Sequence, residues 1–309
     1  MVNLKGKDIL DGAQFTREEI DHIMAVADEF GRQLQDKPGL DLMRGYILAT
    51  LFFEPSTRTR LSFETAMHRL GGNVIGFSSA ESSSTAKGET LADTIRTVDR
   101  YADIIAMRHP RVGSAKEAAA VANAPVLNGG DGAGQHPTQA LLDLYSIRQE
   151  RGHVDGMTII LCGDLKNGRT VHAGVEVYKH YRCKLVMVAP EQLKMPADIV
   201  ARLRHHGVQV EETANLEAAL AQGDVLYMTR IQKERFADPA EYERLKGSYI
   251  LTREMVERIR PDVTVLHPLP RVNEITTDVD SLPNAAYFRQ AGNGVFIRMA
   301  LIASVMGRI

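Results

Sequence analysis

Cysteine is scarce in this chain of 309 residues: there are two, Cys162 and Cys183. Both lie in apolar, strand-like surroundings, and neither has a second ligand residue at metal spacing. Reduced structural thiols in a cytosolic protein are the reading they favour, rather than a disulfide framework or a metal site. Long apolar runs are missing as well. None approaches the ~20 residues that a membrane span needs, and the last apolar stretch, Val295 to Met306, is short and carries Arg298. The segment Met1 to Ile20 mixes charges throughout and has no signal-peptide apolar region. Charge of either sign is nearly balanced, with a formal net of −2, so no global basic field invites nucleic acid or an acidic membrane. No internal repeat is present, and no low-complexity tract beyond one serine-rich loop. These shortages point to a cytoplasmic globular protein, with no nucleic-acid or membrane partner. Any anion site in it must be built from local arginines.

The composition present, 44% hydrophobic and 25% charged, is ordinary for such a protein. The length suits two domains better than one, since single cores rarely grow beyond ~250–300 residues. Apolar, β-branched-rich runs alternate with helix-period segments. The strand-like runs are Tyr46–Phe53, Asn73–Phe77, Asp103–Met107, Pro125–Leu127, Met157–Cys162, Lys184–Val188, Val208–Glu211, Asp224–Met228 and Val263–Leu266. This alternation predicts an α/β fold of two domains, each a mostly parallel sheet flanked by helices. After Glu54-Pro55-Ser56-Thr57, Phe63, Ala66, Met67 and Leu70 recur at helical spacing until Gly71-Gly72 stops them. A second helix is predicted from Pro137 to about Glu150, with Gly152 just beyond its end. A fresh strand–helix series starts at Met157, which sets a domain boundary near residue 150.

The most informative segment is Phe53-Glu54-Pro55-Ser56-Thr57-Arg58-Thr59-Arg60, where a strand turns into a helix. Helix N-termini present free N–H groups and partial positive charge to anions. Three hydroxyls and two guanidiniums within five residues add side-chain donors, with Arg58 as a bidentate clamp. The assembly suits a phosphate dianion better than a merely N-capped helix with exposed arginines. His136-Pro137-Thr138-Gln139 opens the second helix after a glycine-rich turn, Asn128 to Gly132. His136 is placed either to cap that helix or to donate to a carbonyl oxygen that turns negative in a tetrahedral intermediate. Gln139, one turn on, is placed to read an amide NH₂. Arg108 ends another strand, where open α/β sheets bind ligands; a plain surface arginine reads the same.

In Gly163-Asp164-Leu165-Lys166-Asn167-Gly168-Arg169-Thr170 the glycine spacing resembles a nucleotide-binding loop, but Arg169 stands where that loop needs lysine. A tight turn delivering Arg169 to a carboxylate fits better. Arg230 and Gln232 follow another strand and, two residues apart, point to one side of an extended backbone. The charged run Lys233 to Lys246 reads equally as a lid or as a solvated face. His267-Pro268-Leu269-Pro270-Arg271 follows the last strand. Its prolines leave the carbonyls of Pro268 and Leu269 without ladder partners, open to a substrate NH₂ or simply part of a rigid turn. The serine-rich loop, Ser78 to Lys87, reads as a flexible linker.

Together these motifs resemble the aspartate and ornithine carbamoyltransferase family. Phe-x-x-x-Ser-Thr-Arg-Thr-Arg is similar to its carbamoyl phosphate signature, and His-Pro-Thr-Gln and His-Pro-Leu-Pro occur in the family's order, the match running from about Phe52 to Arg298. Ornithine enzymes usually carry cysteine where Pro268 stands, so the resemblance implies L-aspartate as acceptor. It implies a domain for carbamoyl phosphate (1–150, joined by a C-terminal helix of about 285–309) and one for aspartate (151–284). Ser56, Thr57, Arg58 and Thr59 would hold the phosphate, with Arg108. His136 would polarise the carbamoyl carbonyl with Arg58 and Thr59. Gln139 and the carbonyls of Leu269 and Pro270 would hold the carbamoyl NH₂, and Arg169, Arg230 and Gln232 the aspartate carboxylates. Ser83 and Lys87 match residues that enter a neighbouring subunit's site in a homotrimer, and Lys87 would also stabilise the leaving phosphate. The segment Thr229–Lys246 and the lack of an extra tail resemble members that pair with a separate regulatory chain. No cofactor, active-site metal or covalent intermediate is implied. No protein general base is evident among these residues, which leaves a departing phosphate oxygen as the expected proton acceptor.

Overall fold

The computed structural model describes residues 2–232, 236 and 238–309, without the side chain of Ser84. In chain order the elements are α1 (Arg17–Asp36), β1 (Ile47–Phe52), α2 (Thr57–Arg69), β2 (Asn73–Phe77), α3 (Leu91–Val98), β3 (Ile104–His109), α4 (Ser114–Ala119), β4 (Val126–Asp131) and α5 (Pro137–Arg151). They continue with β5 (Thr158–Cys162), α6 (Arg169–Tyr178), β6 (Lys184–Val188), α7 (Ala197–His205), β7 (Gln209–Thr213), α8 (Leu216–Leu220), β8 (Val225–Met228), α9 (Pro239–Leu245), α10 (Arg253–Ile259), β9 (Thr264–Leu266) and α11 (Tyr287–Val305). All nine expected strand segments are strands, in two sheets of four and five. The chain divides into two compact units, Met1–Leu142 with Gly292–Ile309, and Asp143–Ala291.

The first unit is built on the sheet β2-β1-β3-β4, every neighbour parallel. Central strand β1 reads Ile-Leu-Ala-Thr-Leu-Phe and is buried from its second residue onward, as a parallel strand covered on both faces must be. Edge strand β2 stays partly open to solvent. The opposite edge, β4, is covered by the N-terminal segment: Ile9 N–H donates to Val126 O at 2.8 Å and Asn128 N–H to Ile9 O at 2.8 Å. Helix α1 starts from a capping box in which Thr16 and Glu19 satisfy each other's backbone N–H groups, and it buries Ile20, Ile23, Met24, Ala27 and Phe30. These recur at three- and four-residue spacing, one stripe of a helix. A core of Ala49, Leu51, Ile95, Ile105, Met107 and Val126 packs against α3 and α4, each large side chain stabilising by about 1.5–3 kcal/mol.

The second unit carries the parallel sheet β7-β6-β5-β8-β9. Its core joins Ile160, Cys162, Val186, Leu226, Met228 and Val265 to α8, α10 and Tyr287. Cys162 and Cys183 are both buried, unbridged thiols. Burial pushes the Cys183 thiol up to about 12 and that of Cys162 higher.

Two local expectations are corrected, and a third is left open. Asn128–Asp131, read as part of a glycine-rich turn, is strand, because Gly129 lacks the Cβ that would press on Met107 O at 3.1 Å and the Thr59 methyl at 3.4 Å. The serine-rich segment is not a plain linker: Ala80–Ser82 and Ser84–Lys87 form 3-10 turns. Of the charged run, Lys233, Glu234, Arg235 and Ala237 lie outside the described residues, while Asp238 caps α9, with Pro239 at its first position. No helix among the described residues is long and apolar enough to cross a membrane.

Candidate active site

Both sheets reverse their direction of growth at one place. In the first unit the chain steps from β1 outward to β2 and then back to β3 on β1's other side; in the second, β5 holds the same position between β6 and β8. Crevices outside the carboxyl ends of the strands at such switch points are where α/β sheets bind ligands. Every expected motif outside the serine-rich segment lies at or just after the carboxyl end of a parallel strand.

At the first switch point, Phe52 of β1 stands in register with Arg108 of β3, and Phe53 N–H donates to Arg108 O at 2.9 Å. This ties the start of α2 to the arginine. Ser56 is the N-cap residue of α2, but its side chain makes no capping hydrogen bond, so its hydroxyl is not spent on the helix. Thr57 and Arg58 are exposed and Thr59 is buried. Arg58 keeps an exposed edge, yet desolvation and then the like charge of Arg108 push its guanidinium below the ordinary arginine range. Two guanidiniums within electrostatic reach at a helix N-terminus favour an anion between them. Arg108 Nε meanwhile donates to Glu54 Oε1 at 2.6 Å.

β4 leads to the second group of the first unit. Its last residue, Asp131, organises the turn into α5: Oδ1 accepts from Gln135 N–H at 2.6 Å and from Asn128 Nδ2 at 3.3 Å, and Oδ2 accepts from Gly113 N–H at 2.7 Å. His136 follows, 3% exposed, and its carbonyl accepts from Gln139 and Ala140 N–H at 3.0 and 3.2 Å. Pro137 opens α5 as expected. Arg298, 2% exposed, reaches from α11 to Ser62 Oγ on α2 at 2.8 Å and Thr138 Oγ1 on α5 at 3.2 Å. It also stacks over Phe63 at 4.9 Å, and so locks together the two helices that carry the expected phosphate and carbonyl ligands. Ser83 Oγ donates to Ala80 O at 2.8 Å within its own turns, and Lys87 ends them, exposed.

The second unit repeats the design. Gly163 follows β5 at φ 123°, and a Cβ there would meet Thr229 O at 2.2 Å. Only glycine lets the ends of β5 and β8 approach so closely. Thr229 N–H and Oγ1–H donate to Cys162 O at 2.8 and 3.1 Å. Buried Asp164 accepts from the Asn167 N–H at 3.0 Å and from its Nδ2, shaping the turn that puts Arg169 first in α6. Gln232 Nε2 approaches Asn167 O at 3.5 Å, so Arg169, Gln232 and, two residues before it, Arg230 belong to one end of this sheet. After β9, Leu269 takes φ 56° and the Leu269–Pro270 bond is cis.

No local pattern marks Asp131, Asp164, Arg298 or Glu54 as supporting groups. An aspartate at or just beyond the end of a strand, beside a glycine-containing turn, is a signal that would find the first two. Among the described residues no group of three or more His, Cys, Asp or Glu is placed to hold a metal ion.

Arginines gathered at the switch points of two parallel sheets define an α/β protein built to hold anions. Residues 7–149 match the family described as aspartate/ornithine carbamoyltransferase, carbamoyl-P binding domain, and residues 155–305 its Asp/Orn binding domain. The chain is 54% identical to the aspartate carbamoyltransferase catalytic subunit of Thermococcus kodakarensis, over 98% of each chain. It is 52% identical to that of Methanopyrus kandleri over 99% of each. Aspartate transcarbamoylase from Trypanosoma cruzi in complex with carbamoyl phosphate and aspartate superposes with a TM-score of 0.93, 45% identity and 98% coverage of both chains. The chain belongs to the aspartate/ornithine carbamoyltransferase family.

Proposed function

We propose that this protein transfers the carbamoyl group of carbamoyl phosphate to L-aspartate, giving N-carbamoyl-L-aspartate and phosphate, the committed step of de novo pyrimidine synthesis. What supports the reading is that each unit carries a set of arginines at its own switch point: Arg58 with Arg108 in one unit, Arg169 and Arg230 with Gln232 in the other. Both substrates are anions, and near-zero net charge leaves such local sets as their means of capture. Relatives named for this reaction, at about half identity over nearly the full length, support it.

In this reading Ser56, Thr57, Arg58, Thr59 and Arg108 hold the phosphate, and Arg58, Thr59 and His136 meet the oxyanion formed when the aspartate amine attacks the carbamoyl carbon. Gln139 and the carbonyls of Leu269 and Pro270 accept from the carbamoyl NH₂. Arg169, Arg230 and Gln232 hold the two carboxylates. Leu269 at positive φ turns its peptide groups out of the regular ladder, which supports their use by a ligand. The leaving phosphate takes the amine proton, and alignment of the two reactants supplies much of the rate. No cofactor is required.

The protein acts in the cytoplasm as a homotrimer, with Ser83 and Lys87 serving a neighbouring subunit, and it pairs with a regulatory chain. Mixing Lys87→Ala with Arg58→Ala protein should restore activity in hybrid trimers; confirmed hybrids without recovery would confine the site to one chain. The reaction itself is tested by product formation from carbamoyl phosphate with L-aspartate and, separately, L-ornithine. Carbamoyl-aspartate is expected. Citrulline would overturn the acceptor, and no product with either would overturn the enzyme.

A further inference from the structure

The loop after β9 is held by a chain of buried polar groups to which the proposed chemistry gives no task. His267, Glu274, Gln290, Asp143 and Tyr227 are each 4% exposed or less. Tyr227 OH donates to Asp143 Oδ2 at 2.7 Å, and Gln290 Nε2 to Asp143 Oδ1 at 2.6 Å. The His267 N–H donates to Gln290 Oε1 at 2.9 Å. The His267 ring ends the series with a contact on each nitrogen: Nδ1 accepts from the Leu269 N–H at 2.8 Å, and Nε2 lies 2.7 Å from Glu274 Oε1. An Nδ1 that accepts leaves the ring proton on Nε2, donated to Glu274. Glu274 Oε2 in turn accepts from the N–H groups of Val272 and Asn273 at 3.1 and 3.0 Å. Burial alone would raise the Glu274 carboxyl, but His267 and the backbone amides outweigh it and hold it below the usual carboxylate range.

A satisfied buried network of this kind fixes one conformation, and here the conformation needs fixing. Leu269 sits at φ 56°, a region that costs a non-glycine residue about 1–2 kcal/mol. Without an anchor on its N–H, that backbone would relax. We propose that neutral His267 is a positioning residue, holding the Leu269 amide through Nδ1 so that the Leu269 and Pro270 carbonyls face the carbamoyl NH₂. The inference rests on the proposed carbamoyl transfer and assigns to the buried network the task of telling an NH₂ from a methyl group.

Acetyl phosphate tests it, because a methyl replaces the NH₂ and has nothing to donate to those carbonyls. The measurements are kcat/KM for carbamoyl phosphate and the competitive Ki of acetyl phosphate. In His267→Asn the side-chain oxygen takes the place of Nδ1 and still accepts from Leu269, so both values should stay within about twofold of wild type. In His267→Gln the polar atoms move toward Nε2. There kcat/KM for carbamoyl phosphate should fall about tenfold, the loss of one hydrogen bond, while the acetyl phosphate Ki moves less than about twofold. Equal losses in the two variants, or parallel losses for the two ligands, would reduce His267 to packing and overturn the proposal. If neither variant folds, Glu274→Gln carries the test: its single oxygen can accept from His267 Nε2 or from the Val272 and Asn273 N–H groups but not from both, so it should lower the same selectivity, and unchanged selectivity would overturn the proposal. A wild-type enzyme that binds carbamoyl phosphate no better than acetyl phosphate would instead sink the NH₂ reading beneath it.

Discussion

Replacing Gly163 by alanine isolates the aspartate-binding half of the proposed site. The new Cβ would lie 2.2 Å from Thr229 O and 2.6 Å from Thr229 Oγ1, at φ 123°. The backbone conformation costs an L-residue about 1–3 kcal/mol, and overpacking against a backbone atom adds about 1–3 kcal/mol. A loss of about 2–6 kcal/mol in unfolding free energy is therefore expected. Thr229 is tied to Cys162 O through both its N–H and its hydroxyl, so it cannot retreat alone. The movement passes to Arg230, the next residue. A displacement near 1 Å at a substrate-positioning group can cost about 10²-fold. The expected result is a kcat/KM for aspartate lower by about that factor, with inorganic phosphate binding retained, because Arg58 and Arg108 belong to the other unit. Urea unfolding, steady-state kinetics at saturating carbamoyl phosphate and phosphate calorimetry measure the three quantities. Gly207→Ala is the control: φ is 81° with nothing within 4 Å of a Cβ, so it bears the backbone cost without the overlap. Aspartate kinetics within twofold of wild type in Gly163→Ala, or phosphate affinity lost in step, would refute the reasoning.

His136→Ala should lower kcat by about 10²–10³, as for other oxyanion donors, with little change in aspartate affinity; turnover near wild type would remove it from the chemistry. Asp131→Asn puts an NH₂ where either Gln135 or Gly113 donates, and should cost about 2–3 kcal/mol in thermal unfolding together with a fall in kcat, since the turn places His136. Lost stability at unchanged kcat would make Asp131 structural only. Native protein at pH 8 should resist iodoacetamide at both cysteines, because burial raises both thiols out of the reactive range, and should react at both in urea; labelling of the folded chain, read by mass spectrometry, would contradict the buried placement.

The sheets were legible because a parallel strand covered on both faces leaves an uninterrupted apolar run. Lys184–Val188 has the bounds read from sequence; so does Asn73–Phe77, although it is a partly open edge strand. β4 was read short because its glycines look like a turn until the close approach of Met107 and Thr59 supplies their reason. α9 was hidden in a run whose charges suit a solvated loop as well as a solvated helix. The motifs at the strand ends were legible as residue types, since hydroxyls and guanidiniums at a helix start have few other uses. Their supports were not. Arg298 depends on Ser62, 236 residues earlier, and His267 on Gln290 and Glu274. Such partnerships are made by tertiary folding and leave no local spacing to read.

The unit that carries Arg58 and His136 is assembled from both ends of the chain. The part of α11 that belongs to it, from Gly292 on, follows all of Asp143–Ala291 and brings Arg298 to α2 and α5. It also brings the carbonyl of Val305, which accepts from Gly6 N–H at 2.8 Å. A ribosome that has translated as far as Ala291 has therefore made every residue of the intervening unit, while the unit begun first still lacks the stretch of α11 that closes it. Order of synthesis and order of completion are inverted, and the earliest-made anion-binding groups are the last to be locked in place.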